Sequence, residues 1–158
     1  KSIQIMIAVY ETLEKIKDKL RENPTIQTVT FGDLMQVDLA KTSIFPIAHV
    51  VMGNVAFRDH IIVMNLRILF LDIVDDNRAP NSFDQFFGND NLIDILNTQL
   101  SAANILQENL RRGSGYADLF QVKGDINCQP FLDTLENQLA GWGMDLVLEL
   151  PNKTTSVC

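Results

Sequence analysis

The stretch Ile61 to Val74, IIVMNLRILFLDIV, constrains this chain more than any other part of it. Its β-branched and aliphatic residues and its early alternation read as a strand. Fully extended it would span about 45 Å, more than twice the usual ~17–20 Å of a strand in a globular domain. Asn65 and Arg67 face one way, and Met64, Leu66 and Ile68 face the other. From Leu69 to Leu71, however, both faces are apolar. A strand of this length needs long partners and a cover for its second face, either a helix of the same chain or a neighbouring subunit. Leu69 and Leu71 are therefore candidate subunit-interface residues.

Partners of suitable length are present. Phe45-Pro46 opens a strand that runs through Phe57, and Arg58-Asp59-His60 is short enough to join it antiparallel to the long strand. Near the other end, Trp142, Met144, Leu146, Leu148 and Leu150 alternate with Gly143, Asp145, Val147 and Glu149, the pattern of a strand with one buried face. Val29, Phe31, Met35, Val37 and Leu39 share one parity, as one bent strand or as a hairpin turning at Gly32-Asp33. Tyr116 to Val122 reads as a short strand. Gln129 to Trp142 reads as an irregular crossing segment with a helical turn.

Two helices complete the reading. Ile3, Met6, Ile7, Tyr10, Leu13, Ile16 and Leu20 recur at helical spacing, Glu11/Lys15 and Asp18/Arg21 form favourable outer pairs, and Pro24 stops the helix. The second helix is capped by Asn91, runs from Leu92 to about Arg112 and ends at Gly113. Leu92, Leu96, Leu100, Ala103, Leu106 and Leu110 line one face, and Ile95, Ala102 and Ile105 widen the stripe, which predicts burial on more than one side. The order predicts an α+β domain: an antiparallel or mixed sheet with long hairpin strands, packed on two main helices. One such domain spans 1–150, followed by a polar tail over 151–158.

At 158 residues the chain can bury a full core in one domain. Its formal charge of -7 argues against a sequence-specific nucleic-acid binder, which gains affinity by neutralising phosphates with Lys and Arg. No apolar run approaches the ~20 residues a membrane-spanning helix needs. Lys1 to Glu22 carries charges mixed through its second half, unlike a signal-peptide core, so a cytosolic origin is expected. Cys128 and Cys158 then read as unpaired thiols. Asn152-Lys153-Thr154 fits a glycosylation sequon, which matters only in a secreted protein.

Chemistry is thinly represented. Asp72, Asp75 and Asp76, with Asp84, Asp90 and Asp94 beyond, are the only group that suggests a metal site, and Asp72 and Asp75 at a strand end resemble the carboxylate placement of two-metal nucleases. The plainer reading is a solvated acidic patch with aspartates at turn and cap positions. His49 and His60 have no ligand spacing, and His49, among strand apolars, reads as a hydrogen-bonded core or interface histidine. No nucleophile elbow or phosphate-cradling glycine loop is present. The expectation is a protein that is not an enzyme and uses no cofactor, with Phe83, Phe86 and Phe87 serving either a satellite core or a partner surface.

The segments TVTFGDLMQVDLAKTSIFPIAHVVM, FLDIVDDN, GNDNLIDILNTQLSAANILQENLRRG and QPFLDTLENQLAGWGMDLVLELPN together resemble small virion proteins of tailed phages of Bacteroidota, crAss-like phages included. Gly32-Asp33, Phe45-Pro46, Asn89-Asp90-Asn91 and Gly141-Trp142 carry the likeness, which covers nearly the whole chain. It implies a tail terminator or tail completion subunit that forms a homo-oligomeric ring at the head–tail junction. Such a protein assembles in the host cytoplasm, resides in the virion, and contacts other neck, portal and tail proteins. It implies no catalytic residue. Leu69, Leu71, Phe83, Phe86 and Phe87 would then serve assembly. Asp72, Asp75 and Asp76 would line a lumen or surface past which DNA slides without sequence-specific binding, because like charge prevents adhesion.

Overall fold

The computed structural model describes residues 7–32, 45–74, 92–112, 120–133 and 139–152. In chain order these form α1 (Ile7–Glu22), β1 (Thr28–Phe31), β2 (Ile47–Arg58), β3 (Ile61–Ile73), α2 (Leu92–Arg112), β4 (Gln121–Val122), β5 (Asn127–Asp133) and β6 (Leu139–Pro151). One mixed sheet runs β1-β2-β3-β6-β4, and β5 also pairs with β6, so the fold is α+β as the sequence predicts. β1 lies parallel to β2, and the other pairings are antiparallel.

The long strand has the partners its length demands. β3 pairs with β6 over its whole course, from Ile61 opposite Pro151 to Ile73 opposite Leu139, and β2 flanks it on the other side. His60 takes a φ of 62° in the turn between β2 and β3, a conformation that a side chain tolerates as a single turn residue. Midway, the β2–β3 register shifts between Met52 and Val55. Gly53 sits at this bulge, where an added Cβ would lie 2.9 Å from the Asn65 carbonyl oxygen, and the Asn65 amide donates to the Asn54 carbonyl at 3.0 Å. The side chain thus supplies a bond where the ladder is interrupted.

Alternation assigns the two faces. Ile62, Met64, Leu66, Ile68 and Phe70 of β3 and Met144, Leu146, Leu148 and Leu150 of β6 belong to the main core, with Ile16 and Leu20 of α1 and Ala102, Ala103, Leu106 and Leu110 of α2. Both helices therefore cover the same face. Trp142 explains its position here: its indole N–H donates to the Leu96 carbonyl of α2 at 2.7 Å, tying the start of β6 to the helix. Next to it, a Cβ on Gly141 would run into the Phe70 backbone carbonyl, so β3 and β6 approach at a point that only glycine permits.

Three local readings change. α1 buries the narrow stripe Thr12, Ile16 and Leu20, whereas Tyr10, counted into the apolar face, is exposed. α2 has the predicted bounds but buries Ile95, Gln99, Ala102, Ala103, Leu106 and Leu110, and leaves Leu100 and Ile105 exposed. The two alanines set this rotation by letting the helix lie close to the sheet. Asn127–Asp133, read in part as an irregular crossing, is a strand, and Pro130 fits because β5 pairs on one side only among the described residues. The possible turn at Gly32-Asp33 falls partly outside the described residues, and no choice between bent strand and hairpin arises there.

Candidate interaction surfaces

The face away from the helices divides along its length. At one end Phe45, Ile47, Leu69, Leu71 and Leu139 form a second apolar cluster, with Ile73 and Phe131 packed against it. Leu69 is 4% exposed and Leu71 0%, so residues of the same chain already close the face that the sequence left open at these two positions. Beside them His49 is buried: its Nε2 lies 2.9 Å from the Gly32 carbonyl, to which it donates, and its Nδ1 lies 2.6 Å from the Thr30 hydroxyl. A carbonyl only accepts, so the Nε2 proton is assigned by its partner and Nδ1 of the neutral ring accepts from Thr30. With both nitrogens engaged, the ring joins β1 to β2.

At the other end the same face is charged. Glu149 lies 3.7 Å from Arg58 and 3.4 Å from Lys123, and Arg67 lies 3.8 Å from Asp145 directly across the β3–β6 pair. These partly exposed pairs hold register more than they add stability.

Asp72 stands near the end of β3, where one carboxylate oxygen accepts the Ile73 amide at 2.8 Å. Partial burial pushes its pKa above the ordinary aspartate range, and the amide bond opposes that shift. Asp94 is exposed in the first turn of α2, where the helix dipole favours a carboxylate. Asp75, Asp76, Phe83, Phe86 and Phe87 lie outside the described residues, as do Asp84 and Asp90. Among the described residues no group of three His, Cys, Asp or Glu side chains converges as a metal site would require. Cys128 is a free, half-buried thiol whose pKa is raised by burial and then by the nearby Asp145 charge, which opposes a reactive thiolate.

Two surfaces escaped the sequence reading. Gly53 to His60 are eight consecutive exposed residues, and Phe57 is 65% exposed although its partner Ile62 is buried. β1 pairs only with Ile47–Val50, so among the described residues no strand pairs with the outer edge of β2 beyond that point. A groove of about 430 Å3 separates α1 from β1, floored by Leu13, Val29 and Val50 and flanked by Tyr10 and Phe31. The alternation of β2 marks Phe57 as apolar but carries no sign of where the helical layer stops.

No protein-family model and no curated protein sequence matches the chain. Among the described residues no helix is long and apolar enough to cross a membrane.

Proposed function

We propose that this chain is a structural subunit of a homo-oligomeric ring in a tailed-phage virion, of the tail terminator or completion type. In this reading it sits at the head–tail junction or in the tail, joins neighbouring neck and tail rings, and leaves a channel for DNA. The resemblance noted above suggests the class. The observation that carries the reading is the outer half of β2: an exposed strand edge bearing Val55 and Phe57 and no charge from Val51 through Phe57. A long uncharged edge invites pairing with another chain unless it is blunted, and a repeated subunit satisfies it at every copy around a closed ring. The ion pairs on the far face and the acidic balance suit a surface that DNA passes without adhering.

Light scattering of the purified chain tests this directly. The expected result is a discrete mass several times that of one chain, and Phe57→Ser with Val55→Ser lowers it to the monomer while the melting temperature stays close to wild type. A monomer at every concentration, in the presence of the other neck and tail components, would sink the reading. The alternative, a metal-dependent nuclease or hydrolase using Asp72 and Asp75, predicts stoichiometric Mg²⁺ or Mn²⁺ binding in a calorimetric titration that Asp72→Asn with Asp75→Asn abolishes. No observation on the described residues favours that alternative.

A further inference from the structure

The groove between α1 and β1 has an apolar floor and a charged rim made of Glu14, Lys17 and Arg21, with one net positive charge. Tyr10 is 65% exposed and Phe31 56%, two large aromatic side chains on the walls of one cleft whose base is Leu13, Val29 and Val50. Lys17 and Arg21 stand along its α1 side. Lys17 reaches Glu14 only at 3.8 Å, and Arg21 has no ion-pair partner among the described residues. In a chain of formal charge -7, an arginine with no ion pair among the described residues, beside exposed aromatics, marks a place suited to an acidic, aromatic segment.

The chain itself contains one such segment. Residues 82–91 read SFDQFFGNDN: three of the nine phenylalanines, two aspartates, and no lysine or arginine. We propose that the α1–β1 groove receives the 82–91 segment of a second copy of the chain, its phenylalanines against Leu13, Val29 and Phe31 and its aspartates toward Lys17 and Arg21. Apolar area supplies the affinity, and the opposite charges select this segment over the neutral or basic stretches of the chain. The inference rests on the self-assembly reading and names a second contact, besides the β2 edge, by which one subunit would hold the next. A segment of one subunit entering a groove of its neighbour is a heterologous contact, the kind that propagates around a ring.

A labelled peptide of residues 80–92, titrated by fluorescence anisotropy into full-length chain carrying Phe86→Ser and Phe87→Ser, tests the pairing, because the receptor's own segment is then disabled. Saturable binding is expected, at least tenfold weaker for a peptide with the same two serines and at least tenfold weaker for a receptor with Lys17→Glu and Arg21→Glu. A peptide with Asp84→Lys and Asp90→Lys should regain affinity for that reversed receptor, a rescue that general misfolding would not produce. Thermal melts of each receptor confirm that these exposed substitutions leave the fold intact. Absence of saturable binding, or binding indifferent to charge reversal and to Phe31→Ser, overturns the proposal. Self-association of the wild-type chain without peptide binding would remove this inference alone. Charge-swappable peptide binding by a chain that stays monomeric would support the groove assignment and remove the ring.

Discussion

The two faces of the sheet are made by the same strands, yet they are closed in different ways. On one, α1 and α2 lie over Ile62 to Phe70 of β3 and Met144 to Leu150 of β6, and the main core is continuous along the strands. On the other, a smaller cluster around Leu69 and Leu71 occupies one end, and Arg67, Asp145 and Glu149 stand along the rest beside the buried Val63. A helix covers a face by area and is tolerant of exact side-chain choice, whereas a face without one must be apolar only where other chain segments reach it. The change from Asn65 and Arg67 to Leu69 and Leu71 along β3 records that boundary in the primary structure.

Substitutions sharpen or break this contrast, and the largest effects belong to the helix-covered face. Phe70→Ala removes a fully buried ring and should cost about 3–5 kcal/mol in chemical denaturation. Leu71→Ala tests whether the second cluster is a true core: a loss of about 2–5 kcal/mol is expected, and a loss below about 1 kcal/mol would mean that this face is only loosely covered.

Gln99 breaks the pattern from within the better-covered face. It is 0% exposed, and among the described residues neither its amide nitrogen nor its carbonyl oxygen has a hydrogen-bond partner. Gln99→Leu should therefore stabilise the protein by about 1–3 kcal/mol, the cost of burying an unsatisfied polar group. A destabilisation would show that the amide makes a contact worth more than its desolvation.

The charged half of the open face should matter least. Arg67→Ala is expected to cost about 0–1 kcal/mol, falling further in high salt, as for exposed ion pairs generally. Asp72 adds a pH signature at the sheet end. Its folded-state pKa is raised, so the folded chain holds this proton more tightly than the unfolded chain. The favourable contribution is full below the ordinary aspartate pKa and is lost as pH rises through the folded value. Asp72→Asn, which keeps an acceptor for the Ile73 amide, should thus flatten the fall in stability within that window, read by melts from below the ordinary aspartate pKa upward through mildly acidic pH.

How much of this was legible in the residues depends on the range of the interaction concerned. The bounds of α2, the strand character of Ile61 to Ile73 and of Trp142 to Leu150, and the hairpin through Asp59-His60 follow from periodicity and turn chemistry acting over a few positions, and a linear sequence displays these directly. Among the candidate site residues, the hydrogen-bonded character of His49 was legible from its apolar strand neighbours, although its partners Thr30 and Gly32 were not. The exposed edge of β2 and the α1–β1 groove were invisible, because exposure at Phe57, Tyr10 and Phe31 depends on where α1 ends and how β1 docks.

The sequence by itself determined both helices and the strand character of β2, β3 and β6, that one face of β3 and β6 is apolar throughout, and that β3 turns apolar on both faces near Leu69. Only the tertiary structure decided that β1 runs parallel to β2, that β5 joins the edge of β6, and that α2 buries Gln99 in place of Leu100. The physical reason is common to all three. α2 is apolar around so much of its circumference that several rotations bury similar area, and strand pairing between distant segments depends on shape and space across the assembled core. The close fit of Ala102 and Ala103 on the sheet, and the Trp142 bond to Leu96, select among alternatives that local patterning leaves nearly equal.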